Sequence, residues 1–215
     1  EAHTPTLRSE CGVVVEKIQR ELQEVACVAM EEVTPPRKQI IASRSFGNPV
    51  HDVASLKAAV ALFVETACAK LRAQQSHAAM LQVFLHTNRF RSELPQYHPV
   101  MAVPLITPTD SSLIVNRWAG LLIDQLWRPE YAYKKAGVML SEITPNTQRQ
   151  NDLFVESEPA EESKLMAVLD RVNQRFGRGV VRISSQDAGE EWGMRQERKS
   201  PAYTTSWVEL PPAVA

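Results

Sequence analysis

Between the consecutive prolines Pro35-Pro36 and the polar run that opens at Thr144, apolar residues alternate between a strand period and a helix period, and this constrains the fold more than any other feature. Lys38 to Phe46 is strand-like, with Ile40 and Ile41 followed by alternating small and polar residues. Asn48-Pro49 marks a turn. Asp52 is placed to cap a helix of about twenty residues, with Val53, Leu56, Val60, Phe63, Val64, Ala67 and Leu71 as its stripe. Ala78 to Thr87 reads as a second strand, Asn88 to Ser92 as a loop, and Tyr97 to Leu105 as a third strand between Pro95 and Pro108. Thr109 is placed to cap a second helix with Ile114, Trp118, Leu121 and Leu122 inward, and Arg128-Pro129 ends it. Tyr133 to Ile143 is the fourth strand.

The order β-α-β-β-α-β predicts an α+β fold: a four-stranded, mainly antiparallel sheet with two helices on one face. The other face is left for solvent or a ligand. Upstream, residues 7–27 read as a helix with the stripe Val14, Ile18, Leu22 and Val25, and Glu31 to Pro36 as a stiff linker. Downstream, Lys164 to Phe176 reads as a helix closed by Gly177, followed by a short strand at Val180 to Ser184 and an irregular aromatic stretch through Trp192, Tyr203 and Trp207. The expected division is a helical region at 1–34, the sheet domain at 35–145, a linker at 146–159 and a small mixed α/β module at 160–215.

The net charge of −1 hides a segmental pattern. Residues 35–145 carry 12 basic and 7 acidic groups, whereas the segments on either side are net negative. The sheet domain is therefore where a polyanion would be met, although a solvated basic face without a partner accounts for the same excess. No apolar run reaches the roughly 20 residues of a membrane span, and the first residues lack a signal-peptide pattern. The first residue is not Met, so the chain reads as a fragment. Cys11, Cys27 and Cys68 are isolated and sit at apolar helical positions, as expected of reduced, buried thiols in a cytoplasmic protein.

Chemistry of its own is not expected. His3, His51, His77, His86 and His98 are scattered, with no zinc-type spacing. There is no nucleophile elbow and no phosphate loop. The carboxylates cluster on helix surfaces and linkers, not at strand ends where two cations could be held. No cofactor is expected in this chain.

Gln150-Asn151-Asp152-Leu153-Phe154 places two large apolar side chains in an otherwise polar linker. Either they tuck back onto a flanking domain or they anchor in a partner's cleft.

Several stretches resemble one family. Gln39 to Gly47 resembles the first strand of the little-finger domain of Y-family DNA polymerases, and Tyr133 to Leu140 resembles its last strand in the UmuC subfamily, the catalytic subunit of polymerase V. Phe84 to Asn88 with Phe90, and Pro104 to Pro108, also fit. Ser200 to Trp207 resembles the end of the UmuC-type C-terminal module. Gln150 to Phe154 resembles the pentapeptide by which bacterial polymerases dock on the sliding clamp, with Asn151 where the family pattern often has Leu.

The resemblance implies the C-terminal half of an error-prone translesion polymerase of the SOS response. Residues 1–34 would be the end of the thumb. The palm, with its carboxylates and Mg2+, would lie upstream, leaving this chain inactive alone. The little finger would grip primer-template duplex without regard to sequence, through candidates Lys38, Ser43, Arg44, Ser45, Arg89, Arg91, Lys134 and Lys135. Arg89 and Arg91 are loop residues that solvent alone would equally explain. Gln150, Asn151, Asp152, Leu153 and Phe154 would bind the clamp. A UmuD-type accessory subunit and RecA are further implied partners, in the bacterial cytoplasm at the nucleoid and not at a membrane. The competing reading is a stand-alone interaction protein that binds the clamp or polymerase partners without gripping DNA.

Overall fold

The computed structural model describes residues 4–27, 35–148, 160–177, 179–182, 192–193 and 199–210. Residues 1–36 and 37–215 form separate compact units.

In the first unit, the helix expected over 7–27 is two helices, α1 (Thr4–Cys11) and α2 (Val13–Leu22). Gly12 separates them at φ 86°, a left-handed backbone that glycine adopts without a Cβ clash. Glu16 is buried between Arg20, 2.6 Å away, and Arg8, 3.6 Å away. The stripe expected to face inward is exposed at Val14, Ile18, Leu22 and Val25.

The second unit carries the expected order: β1 (Ile40–Val50), α3 (Val53–Ala73), β2 (Ser76–Thr87), β3 (Val100–Thr109), α4 (Ser112–Leu126), β4 (Tyr133–Pro145) and, beyond the linker, α5 (Ala160–Phe176). The four strands form one sheet in the order β1-β4-β2-β3, with every neighbouring pair antiparallel. Pro104 and Pro108 sit in β3, an edge strand, where a missing N–H costs least.

Asn48-Pro49 is not a turn between elements. β1 runs through it, with a register shift between Ser45 and Val50. Asp52 caps α3 as expected, accepting from the Ser55 N–H at 2.7 Å. That backbone hydrogen bond is the leading cause that holds its carboxyl below the usual 3.8. Ser111, not Thr109, caps α4, accepting from the Ile114 N–H. The Thr109 hydroxyl accepts from the Ser111 N–H at 2.9 Å and so orients the cap. The buried residues of α4 include Val115, Ala119, Leu122 and Ile123; of those expected inward, Leu122 is buried, Trp118 packs at the edge of the core and Leu121 is exposed. Of the strand expected at Val180 to Ser184, Val180 and Val181 are bends and Arg182 has no regular structure, while residues 183–184 lie outside the described residues.

Helices α3 and α4 cover one sheet face. Leu56, Val60, Val64 and Leu71 of α3 and Val115 and Ile123 of α4 meet Ile40, Leu81, Val83, Leu85, Val138 and Leu140 from the sheet. Trp192 joins this core, edge-on to Phe46 at 5.9 Å and Phe63 at 6.2 Å. Helix α5 buries Met166 and Leu169. Its polar side is tied to the two covering helices through Arg72. The guanidinium donates to both Asp170 oxygens (2.6 and 2.8 Å), to the Asp110 carbonyl (2.7 Å) and to the Ser112 hydroxyl (2.9 Å). The Ser111 hydroxyl donates to Glu162, and Asn173 donates to Glu65 at 3.3 Å.

The Arg72 and Asp170 side chains are 9% and 20% exposed, so removing one strands a largely desolvated charge. Asp170→Ala is expected to lower unfolding free energy by about 2–3 kcal/mol and to speed proteolysis around α5. Arg72→Met with Asp170→Leu is expected to recover most of the loss, as read by urea denaturation.

Candidate nucleic-acid interface

Antiparallel register assigns each strand residue to a face. Ala136, Val138 and Leu140 of β4 are buried against the helices, so Lys135, Gly137 and Met139 face the other way. Three rows then cross the open face. Ile41, Met139, Gln82 and Ala102 form one, and Ser43, Gly137, Phe84 and Val100 the next. Ser45, Lys135 and His86 form the third, which His98 completes. Helices α3 and α4 pack on the opposite face.

Gly137 fixes the middle row. A Cβ there would lie 2.4 Å from the Phe84 Cζ and 2.4 Å from the Ser43 Cβ. Only a glycine lets the Phe84 ring lie flat across β4. The Lys135 Nζ sits 5.9 Å from that ring's centroid, close enough for cation–π attraction.

The sequence-derived candidates do not all share this face. Ser43, Ser45 and Lys135 do. Arg44 pairs with Ala136, which places it in the helix-side parity, at the exposed β1 edge. Lys38 is exposed just before β1. Lys134 is the extra residue of β4 where pairing to β2 shifts between His86 and Thr87. Its ammonium donates to the Phe46 and Gly47 carbonyls and braces the irregular part of β1.

Arg89 and Arg91 are exposed on the loop after β2, with Phe90, 97% exposed, between them. The loop is built rather than slack. The Gln96 amide donates to the carbonyls of Asn88 (3.2 Å), Arg91 (2.8 Å) and Leu94 (3.1 Å), its oxygen accepts from the Thr87 hydroxyl (3.0 Å), and the Asn88 side chain accepts from the Phe90 N–H (3.1 Å).

Sequence reasoning missed Phe90 as a presented side chain, and missed the contact of His86 with His98. Their Nδ1 atoms lie 3.3 Å apart. Burial, His98, Arg89 and Lys135 hold His86 below the ordinary 6.5, and burial and Arg89 do the same for His98. A histidine depressed in the fold takes up its proton first in the unfolded chain. The pair's contribution to stability is therefore full above about pH 6.5 and is lost as pH falls through the folded values.

Gln150 to Phe154, the sequence-derived clamp peptide, lies outside the described residues. Among the described residues, no group of three or more His, Cys, Asp or Glu could hold a metal ion, and no helix is long and apolar enough to cross a membrane.

One sheet face is packed by α3 and α4, and the other carries hydroxyls and a lysine, with a braced basic loop beside it. Residues 37–153 match the impB/mucB/samB family C-terminal domain, and residues 163–213 match a domain of unknown function, DUF4113. The chain belongs to the impB/mucB/samB family. It is 36% identical to protein ImpB of Salmonella typhimurium over 212 residues, 98% of this chain and 50% of that protein. It is 35% identical to protein UmuC of Salmonella typhimurium over 211 residues, again 98% and 50%. The chain thus spans about half the length of the curated relatives it matches. Among solved structures, an insertion ternary complex of Dbh DNA polymerase overlaps 67% of this chain and 40% of that chain at 14% identity, with a TM-score of 0.41. DinB from Sulfolobus solfataricus overlaps the same shares at 14% identity and a TM-score of 0.42.

Gly137→Ala must displace both Phe84 and Ser43, at an expected cost of about 1–3 kcal/mol in urea unfolding. Adding Phe84→Ala should recover only part of this, because the Ser43 Cβ remains 2.4 Å from the new methyl group.

Proposed function

We propose that this chain is the DNA-gripping and clamp-docking C-terminal part of an error-prone translesion DNA polymerase, acting in the bacterial cytoplasm in response to DNA damage. The observation that carries the reading is the sheet face opposite α3 and α4, with Ser43, Ser45 and Lys135 on neighbouring strands and Arg89 on the braced loop beside them. Hydroxyls and cations on rigid strands suit phosphate oxygens and read no base edge, which a polymerase copying damaged template needs. Arg44 and Lys38 extend the same grip along the β1 edge, and Arg91 extends it along the loop.

Clamp docking rests on Gln150, Leu153 and Phe154. Leu153 and Phe154 would bury roughly 200–300 Å² at about 25 cal/mol per Å², about 5–7 kcal/mol before ordering costs. That corresponds to micromolar binding at best. A UmuD-type accessory subunit and RecA belong to the same reading, as partners of the whole protein, and the catalytic carboxylates with Mg2+ belong to the half of the family protein that this chain does not match.

One observation favours the competing interaction-protein reading. The row Ile41, Met139, Gln82 and Ala102 carries no charge, and Ile41 is half exposed, as on a protein-binding surface.

Salt dependence separates the two. If about five cations contact phosphates, duplex affinity is expected to fall with a log–log slope of about −4, and Lys135→Ala to reduce that slope by about 1. A shallow slope in the unaltered chain would favour the protein-binding face. For the linker, Leu153→Ala with Phe154→Ala is expected to abolish binding to the bacterial sliding clamp. Titration calorimetry against the unaltered chain checks this, and no clamp binding by the unaltered chain would assign both side chains to internal packing.

A further inference from the structure

The end row of the open face reads Ser45, Lys135, His86 and His98 across all four strand positions. The Leu85 N–H donates to the Pro99 carbonyl (3.0 Å) and the Thr87 N–H to the Tyr97 carbonyl (3.2 Å), so the ladder continues past β3 and sets His98 opposite His86. The two ring centroids are 5.2 Å apart and the Nδ1 atoms 3.3 Å apart.

Two ring nitrogens in that contact share one proton, one as Nδ1–H donor and the other as acceptor. A neutral imidazole carries a single N–H. The donating ring therefore has a bare lone pair on Nε2, and the accepting ring has Nε2–H. Among the described residues neither Nε2 has a hydrogen-bond partner. One further proton, added at the bare Nε2, leaves the Nδ1–H···Nδ1 bond intact. It converts the pair into two Nε2–H donors with one positive charge. The titration then belongs to the pair, not to either ring.

The charged groups acting on the rings are Arg89, from the loop, and Lys135, from β4. Both are cations, and both disfavour that proton until an anion arrives. Ser45 stands across β4 from His86 in the same row.

We infer that His86 and His98 form a proton-gated seat for one backbone phosphate. The phosphate that reaches Lys135 supplies the negative charge that lets the pair take up its proton, and the pair answers with a second N–H donor. This rests on reading the open face as a nucleic-acid interface. Because the bound state holds one more proton than the free state, affinity must rise as pH falls.

The test is fluorescence anisotropy of the full chain with a labelled primer-template duplex at constant ionic strength. Between about pH 7.5 and about pH 6, affinity is expected to rise about threefold, whereas the affinity of His86→Gln with His98→Gln should stay flat over that range. On the unaltered chain, imidazole NMR signals should titrate about one pH unit higher with DNA present than without. Salt-sensitive binding that is flat with pH, an equal rise in the double variant, or an imidazole midpoint that DNA does not move would each overturn the phosphate seat and leave the interface standing. No duplex binding at either pH would overturn the interface itself.

Discussion

The pairing of β4 with β1 on one side and β2 on the other is the contact on which the rest depends. The unit β1-α3-β2 leaves a gap one strand wide, which β4 fills. The unit β3-α4-β4 leaves another, which β2 fills. Neither half has a continuous sheet without the other, so the core under α3 and α4 forms only when both are in place. The side-chain period of a strand is two. A one-residue slip of β4 would therefore send Lys135, Gly137 and Met139 toward the helices and expose Ala136, Val138 and Leu140. The burial that holds the core and the register that lines up Ser45, Lys135 and His86 are one constraint.

Polar groups are divided between the two faces by how fully they are satisfied. On the helix side, Arg72 is largely desolvated, and its donors reach Asp170, the Asp110 carbonyl and Ser112. Such a node fixes where α5 sits and leaves little for a ligand. On the open side, the side chains of Ser43, Ser45 and Lys135 have no hydrogen-bond partner among the described residues. Lys134 and Lys135 show the division within two residues. The bulge in β4 turns the first onto the Phe46 and Gly47 carbonyls and leaves the second on the open face.

The element order was legible because α3 and α4 have helical stripes and the strands carry β-formers between turn residues. Asp52 was legible as a cap because no rival stands beside it. Thr109 and Ser111 are two hydroxyls two residues apart, and local propensity cannot choose between them. The choice is tertiary, since Ser111 also donates to Glu162 of α5. Asn48-Pro49 carries a turn signal, yet on an edge strand it is absorbed as an irregularity braced by Lys134. Gly12 looked like one more helical position until its left-handed φ broke the helix. The open face was the least legible part. Lys134-Lys135 reads as a pair of equals unless the bulge is known, and His86 and His98 meet only through the β2–β3 ladder.

On the proposed reading, the sparseness of charge on the open face is functional. Of its three rows, Lys135 is the only full-time cation, with Arg89 beside it on the loop. Hydroxyls and a few cations make a grip that is indifferent to sequence and individually weak. A linker peptide burying one Leu and one Phe is weak as well. Joined in one chain, each raises the local concentration of the other site, so the pair holds where neither would alone. Either contact can still let go first. For a polymerase that must yield the primer end once a lesion is passed, two releasable contacts serve better than one strong one. Protonation of the histidine pair would tighten one of them only while a phosphate is seated there.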